Sequence, residues 1–130
     1  MPSDVYQILA WAIENQVMLF CIYDGQPRQF CPIILGHGRD GNEMVLVYQV
    51  GGRTSKGRIR QPRWKCFRVE GLSRIEIIQG EWEAGSSHSQ DQQCVQQVDY
   101  DVNEDSPYDP RQSLGRLRGG PPPPLNDPPG

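Results

Sequence analysis

Apolar positions along the chain follow two different periods. Val5, Ile8, Leu9, Ala12 and Ile13 recur at helical spacing, and Trp11 widens the apolar side. That spacing predicts a helix over residues 4–15. Ser3 is placed to cap it, and Asp4 suits its first turn. A helix this short is marginal alone in water, so its stripe must dock on something. Residues 17–23 are apolar and β-prone throughout and read as a buried strand. Asp24-Gly25 is a two-residue hairpin signal, and residues 28–35 return as a second strand. Pro32 cannot donate to a ladder, which predicts an edge, a bulge or a bend there. Residues 36–42 hold three glycines and read as a turn. Residues 44–50 alternate, with Met44, Leu46, Tyr48 and Val50 on one face and Val45, Val47 and Gln49 on the other. Residues 64–69 and a segment around Ile75 and Ile77 supply two more strands.

One helix and five short strands joined mostly by tight turns predict a mainly β fold. A small, strongly bent five-stranded barrel after the N-terminal helix would leave few exposed edges; a flat open sheet beneath the helix is the alternative. The character changes from residue 84, where the chain becomes polar and carries eight of its twelve prolines. Such a composition buries too little apolar surface to offset its ordering entropy. The expected division is a folded domain over 1–83 and a Pro-rich, acidic, disordered tail over 84–130. Within that tail Cys94, Val95, Val98, Tyr100 and Val102 alternate imperfectly, as a transient strand would, and Pro121 to Pro124 favour polyproline II.

The net charge of -3 conceals an asymmetry. Residues 1–83 hold ten Lys/Arg against nine Asp/Glu, and residues 84–130 hold three against seven. Seven of the bases fall between Arg53 and Arg68 with no acid among them: Arg53, Lys56, Arg58, Arg60, Arg63, Lys65 and Arg68. A glycine-rich loop joining two strands therefore concentrates a positive field, which recruits anionic partners. The same run also reads as an ordinary solvated loop.

Cofactor chemistry finds little support. The four cysteines form no C-x-x-C pair, and His37 and His88 are the only histidines, so zinc-ligand spacing is missing. Three of the cysteines lie in apolar runs, where a free thiol acts as a small hydrophobe. Residues 1–13 lack a basic stretch followed by an apolar run, and no segment approaches the ~20 apolar residues that span a bilayer. A soluble, cytoplasmic protein with no membrane partner is expected. His37 has Asp40 as its only near carboxylate in sequence, and Ser55 lies in a loop followed by no helix, unlike a P-loop. The expectation is a protein that is not an enzyme.

The order of Phe20-x-x-Tyr23, Arg28, Pro32, Gly36, Tyr48-Gln49-Val50-Gly51-Gly52 and Trp64-Lys65-x-Phe67-Arg68-Val69-Glu70 resembles the WYL domain family, in particular its short stand-alone bacterial members. The likeness covers residues 8–78. It implies an Sm-like β-barrel and a regulatory, ligand-sensing role, with single-stranded nucleic acid among the implied ligands. It points to Tyr23, Arg28, Tyr48, Lys65 and Arg68 as lining or supporting an anion-receptive site.

The residues themselves add Arg58, Arg60 and Arg63, whose guanidinium groups suit phosphate oxygens, and Trp64, which can stack a base or pack inward. Trp64, Cys66 and Arg68 alternate with Lys65, Phe67 and Val69, and both faces are mixed, so the pattern does not say which points inward. The leading reading is a non-catalytic module for a nucleic acid or nucleotide-like anion. The alternative is an adaptor docking an acidic protein partner, and pairing of two barrels is left open. An acidic tail folding over the basic loop is a further expectation.

Overall fold

The computed structural model describes residues 3–54, 56–59, 61–78, 80, 82 and 92–124. Helix α1 (Asp4–Asn15) begins where the Ser3 side chain accepts from the Tyr6 backbone N–H, and ends as Gln16 turns left-handed. Strands β1 (Leu19–Tyr23) and β2 (Gln26–His37) meet through Asp24 and Gly25, both at positive φ, the conformation a two-residue hairpin needs. Strand β3 (Glu43–Thr54) returns along β2 and folds back on the two-residue β4 (Gly57–Arg58). Strand β5 (Arg63–Arg68) pairs with β3; a 3-10 turn (Val69–Gly71) leads to β6 (Leu72–Ile77), which pairs with β1.

The antiparallel sheet runs β4-β3-β2-β1-β6, with β5 also on β3 and β7 (Gln97–Asp101) on β2. It curls like half a barrel. Tyr23 of β1 and Phe67 of β5 have two strands, β2 and β3, between them, yet their rings stack at 4.3 Å. Phe30, Leu19, Val45, Val47 and Phe67 fill the interior with Leu9 and Ile13 of α1.

Pro32 sits at a register shift of the β2–β3 ladder, as a bulge requires. On the other side of β2 the neighbour changes there: β1 pairs residues 26–30 and β7 pairs residues 34–37. A residue without an N–H is tolerated in that gap. Gly52, at φ +94, lies so close to β2 that a Cβ would stand 2.2 Å from the Pro27 carbonyl oxygen. The Gly51-Gly52 pair therefore lets β3 continue past the bulge into the basic ribbon.

The chain beyond residue 83 differs most from expectation. Residues 83–91 and 125–130, part of the stretch expected to be disordered, lie outside the described residues. Residues 92–124 are placed against the body. Val95, Val98, Tyr100 and Val102 join the core, and β7, with the short β4, brings the sheet to seven strands rather than five. A disulfide joins Cys66 of β5 to Cys94, with Cα atoms 5.6 Å apart, while Cys21 and Cys31 are free and buried. The sequence leaves disulfides open beside the reading of a reducing compartment. Residues 115–120 cover the far side of α1. Glu14, 2% exposed, accepts from the backbone N–H groups of Gly115 and Leu117 at 2.6 Å each, and the Trp11 indole donates to the Gly120 carbonyl. That cover explains why α1 is buried on more than its predicted stripe. Among the described residues no helix is long and apolar enough to cross a membrane.

Candidate anion-binding surface

The β3–β5 ladder settles the two faces. Val45, Val47 and Gln49 pair with Phe67, Lys65 and Arg63; Met44, Leu46 and Tyr48 pair with Arg68, Cys66 and Trp64. Val45, Val47, Gln49 and Phe67 are all at most 1% exposed, so theirs is the inner face. Trp64 is therefore outward, 41% exposed, with its ring 5.0 Å from that of half-buried Tyr48.

The cations lie on the ribbon and on the strand that carries Trp64. Arg58 sits opposite Arg53 in the β3–β4 ribbon, Lys56 lies at its tip, and Arg63 and Lys65 precede and follow Trp64 in β5, on the face of that strand opposite the indole. Arg53, Lys56, Arg58 and Arg63 are exposed and Lys65 is half-buried. Among the described residues none of the five is within ion-pair distance of a carboxylate. Arg60 and Ser55 lie outside the described residues. Like charges left unneutralised at a surface raise the local potential for anions.

Arg28 lies elsewhere. It is 5% exposed, inside the curl, with Nη1 donating to Gln49 Oε1 at 3.3 Å and Nη2 to the Tyr23 carbonyl at 3.2 Å. Its guanidinium carbon stands 5.5 Å from the Tyr23 ring centroid and 5.4 Å from that of Phe67. Its Nε has no partner, and it does not pair with Asp24. A buried cation held by aromatic faces and neutral acceptors still carries an unmatched charge. Gln49, fully buried, passes the connection on by donating to the carbonyls of Gly51 and Arg53 at 3.0 and 3.3 Å. The buried arginine thereby braces the turn that leads into the basic ribbon.

The five positions implied by the family resemblance do not meet in one cavity. Tyr23 and Arg28 face the interior, while Tyr48 stands outside beside Trp64. Arg68 is exposed and bound to Asp40 at 3.1 Å and Glu70 at 3.3 Å, so its charge is matched locally. Tyr23 links the two groups, since its hydroxyl accepts from the Arg68 backbone N–H at 3.2 Å. The Asn42 backbone N–H holds the Asp40 carboxyl below its usual range, with the Asn42 side chain and Arg68 adding to the effect.

His37 does not pair with Asp40. Its Nδ1 lies 3.3 Å from Asp99 of β7, a residue 5% exposed. Tyr6 and Arg111 also donate to Asp99, forming a cluster that sequence spacing could not anticipate. Buried in β7, Asp99 and Asp101 are not placed to fold over the basic ribbon.

Compared with known proteins, the chain matches no family model, no curated protein and no solved structure. The surface is thus read from its own chemistry. It offers cations for phosphate oxygens and an outward indole for a planar base.

Proposed function

We propose that this chain is a non-catalytic binding module of WYL type that takes an anionic ligand on the outer β3–β4–β5 surface. The ligand is single-stranded nucleic acid or a nucleotide-like molecule. Arg53, Lys56, Arg58 and Arg63 meet phosphates, and Trp64 stacks a base with Tyr48 behind it. In this reading β1, β2, β3, β5 and β6 are the five strands of an Sm-like barrel, joined at the 3-10 turn.

One observation carries the proposal. Five cations without a carboxylate partner among the described residues lie on the β3–β4 ribbon and on β5, the strand that carries an outward-facing tryptophan, in a protein that is otherwise acidic. A merely solvated loop has no need of an exposed indole at its centre. Trp64→Ala tests this, because stacking contributes about 1–3 kcal/mol per base. Affinity for a labelled single-stranded oligonucleotide should fall roughly tenfold or more while the variant still folds. Equal affinity in the variant, or co-purification of a stoichiometric acidic polypeptide in place of nucleic acid, would favour the adaptor reading.

A further inference from the structure

A cavity of about 490 Å³ opens between α1, β2, β7 and the segment after it, at the opposite end of β3 from the basic ribbon. Ten residues of β3 separate Glu43 on its wall from Arg53, roughly 30 Å of extended chain. The volume is that of a small-molecule site. Its walls carry Tyr6, His37, Asp99, Tyr100, Arg111 and Arg116.

The charges on these walls are not all matched. Asp99 accepts from the Tyr6 hydroxyl and from Arg111 Nε, the latter at 2.5 Å. Burial first, and then the Asp99 contact, raise the Tyr6 phenol well above its usual range, so it remains a proton donor. Arg111 Nη2 lies 3.2 Å from His37 Nδ1. Its side chain is 47% exposed, so one edge of the fork stays open to the cavity. Glu43 faces the helix start, where Ser3 donates to it from Oγ at 2.7 Å and from its backbone N–H at 3.2 Å. Asp99 is thus offset by Arg111, and Glu43 by the positive end of α1. Arg116 is exposed and has no carboxylate within ion-pair distance among the described residues, so its charge is uncompensated.

We infer that this cavity binds a small organic anion, its carboxylate or phosphate held by Arg116 and the open edge of Arg111 and its body against Tyr6 and Tyr100. Asp99 is the positioning residue. It pins Arg111 in place, so the fork is pre-set rather than ordered on binding, which lowers the cost of association. The site is separate from the proposed nucleic-acid surface and does not depend on it.

The experiment titrates the full chain with benzoate, phenyl phosphate and benzylamine, following arginine Nε–H signals by NMR. Saturable shifts at Arg111 and Arg116 are expected with benzoate or phenyl phosphate, the stronger of the two identifying the anionic group. Benzylamine should produce none, and the Trp64 indole signal should stay still. Arg116→Gln should weaken binding at least tenfold in a variant that remains folded. Non-saturating shifts with both anions, equal saturation with benzylamine, or unchanged affinity in Arg116→Gln would each overturn the inference.

Discussion

Arg28 and Gln49 meet inside the curled sheet, Nη1 of one donating to Oε1 of the other over 3.3 Å, with no carboxylate paired to the guanidinium among the described residues. Gln49 is the side-chain acceptor for this charge and also bonds the backbone of the Gly51–Arg53 turn. Gln49→Leu should therefore destabilise the fold by about 2–4 kcal/mol, the range for stripping a partner from a buried charged group. Arg28→Met removes the unmatched charge and should be close to neutral. In the double variant the cost of losing Gln49 should shrink to about 1 kcal/mol. Urea denaturation of the four proteins checks this, and additive effects would contradict it.

The disulfide bears on the segment that sequence composition treated as a tail. Cys66 and Cys94 are 28 residues apart, so their link removes appreciable freedom from the unfolded chain. Cys66→Ser with Cys94→Ser should cost about 2–4 kcal/mol. Under denaturing, non-reducing conditions thiol titration should find the two buried cysteines alone, Cys21 and Cys31, and the native protein should react at neither. Four reactive thiols on unfolding would remove the link.

Burial pushes the Cys21 thiol up to about 12 from 9, against the opposing field of Arg28. The unfolded chain ionises this group first, so the native state holds the extra proton and stability falls as pH rises from 9 toward 12. By pH 11 the loss is about 2–3 kcal/mol. Tyr6, also raised by burial, acts in the same direction. Cys21→Ala should flatten the decline in unfolding free energy between pH 9 and 11. An unchanged slope would mean the thiol ionises normally.

Glu14 clamps residues 115–120 to α1 through two backbone N–H groups. Glu14→Ala leaves both donors without their acceptor. Hydrogen exchange at Gly115 and Leu117 should accelerate at least tenfold while Val45 and Val47 in β3 stay protected. Equal acceleration in both places would mean the segment is part of the global unfolding unit.

These residues also show where the sequence was legible. The Ser3 cap, the Asp24-Gly25 hairpin and the Pro32 bulge depend on neighbours a few positions away, and they read directly. Strand β7 was obscured because the alternation of Val98, Tyr100 and Val102 with Asp99 and Asp101 sits in a polar, Pro-rich, acidic stretch whose composition reads as a tail. Burying Asp99 needs Tyr6, which is 93 residues distant in sequence. Composition could not reveal that partner, nor which cysteines pair. At the candidate surface the cationic run was plain, but its inner and outer faces were not, since both mix charge with apolar side chains. The β3 register resolved that. It sent Phe67 inward and Trp64 outward, and Arg68 proved to be bound by Asp40, 28 residues away.

The central claim is that the cations of the β3–β4 ribbon and β5, which have no carboxylate partner among the described residues, bind phosphates. Fluorescence anisotropy with a labelled single-stranded oligonucleotide, across a series of salt concentrations, tests it most directly. Wild type should lose affinity with a log–log slope of about -0.7 for each phosphate engaged, and Arg58→Glu with Arg63→Glu should bring the slope toward zero. Flat anisotropy at low salt, or a slope that the double variant leaves unchanged, would contradict the account.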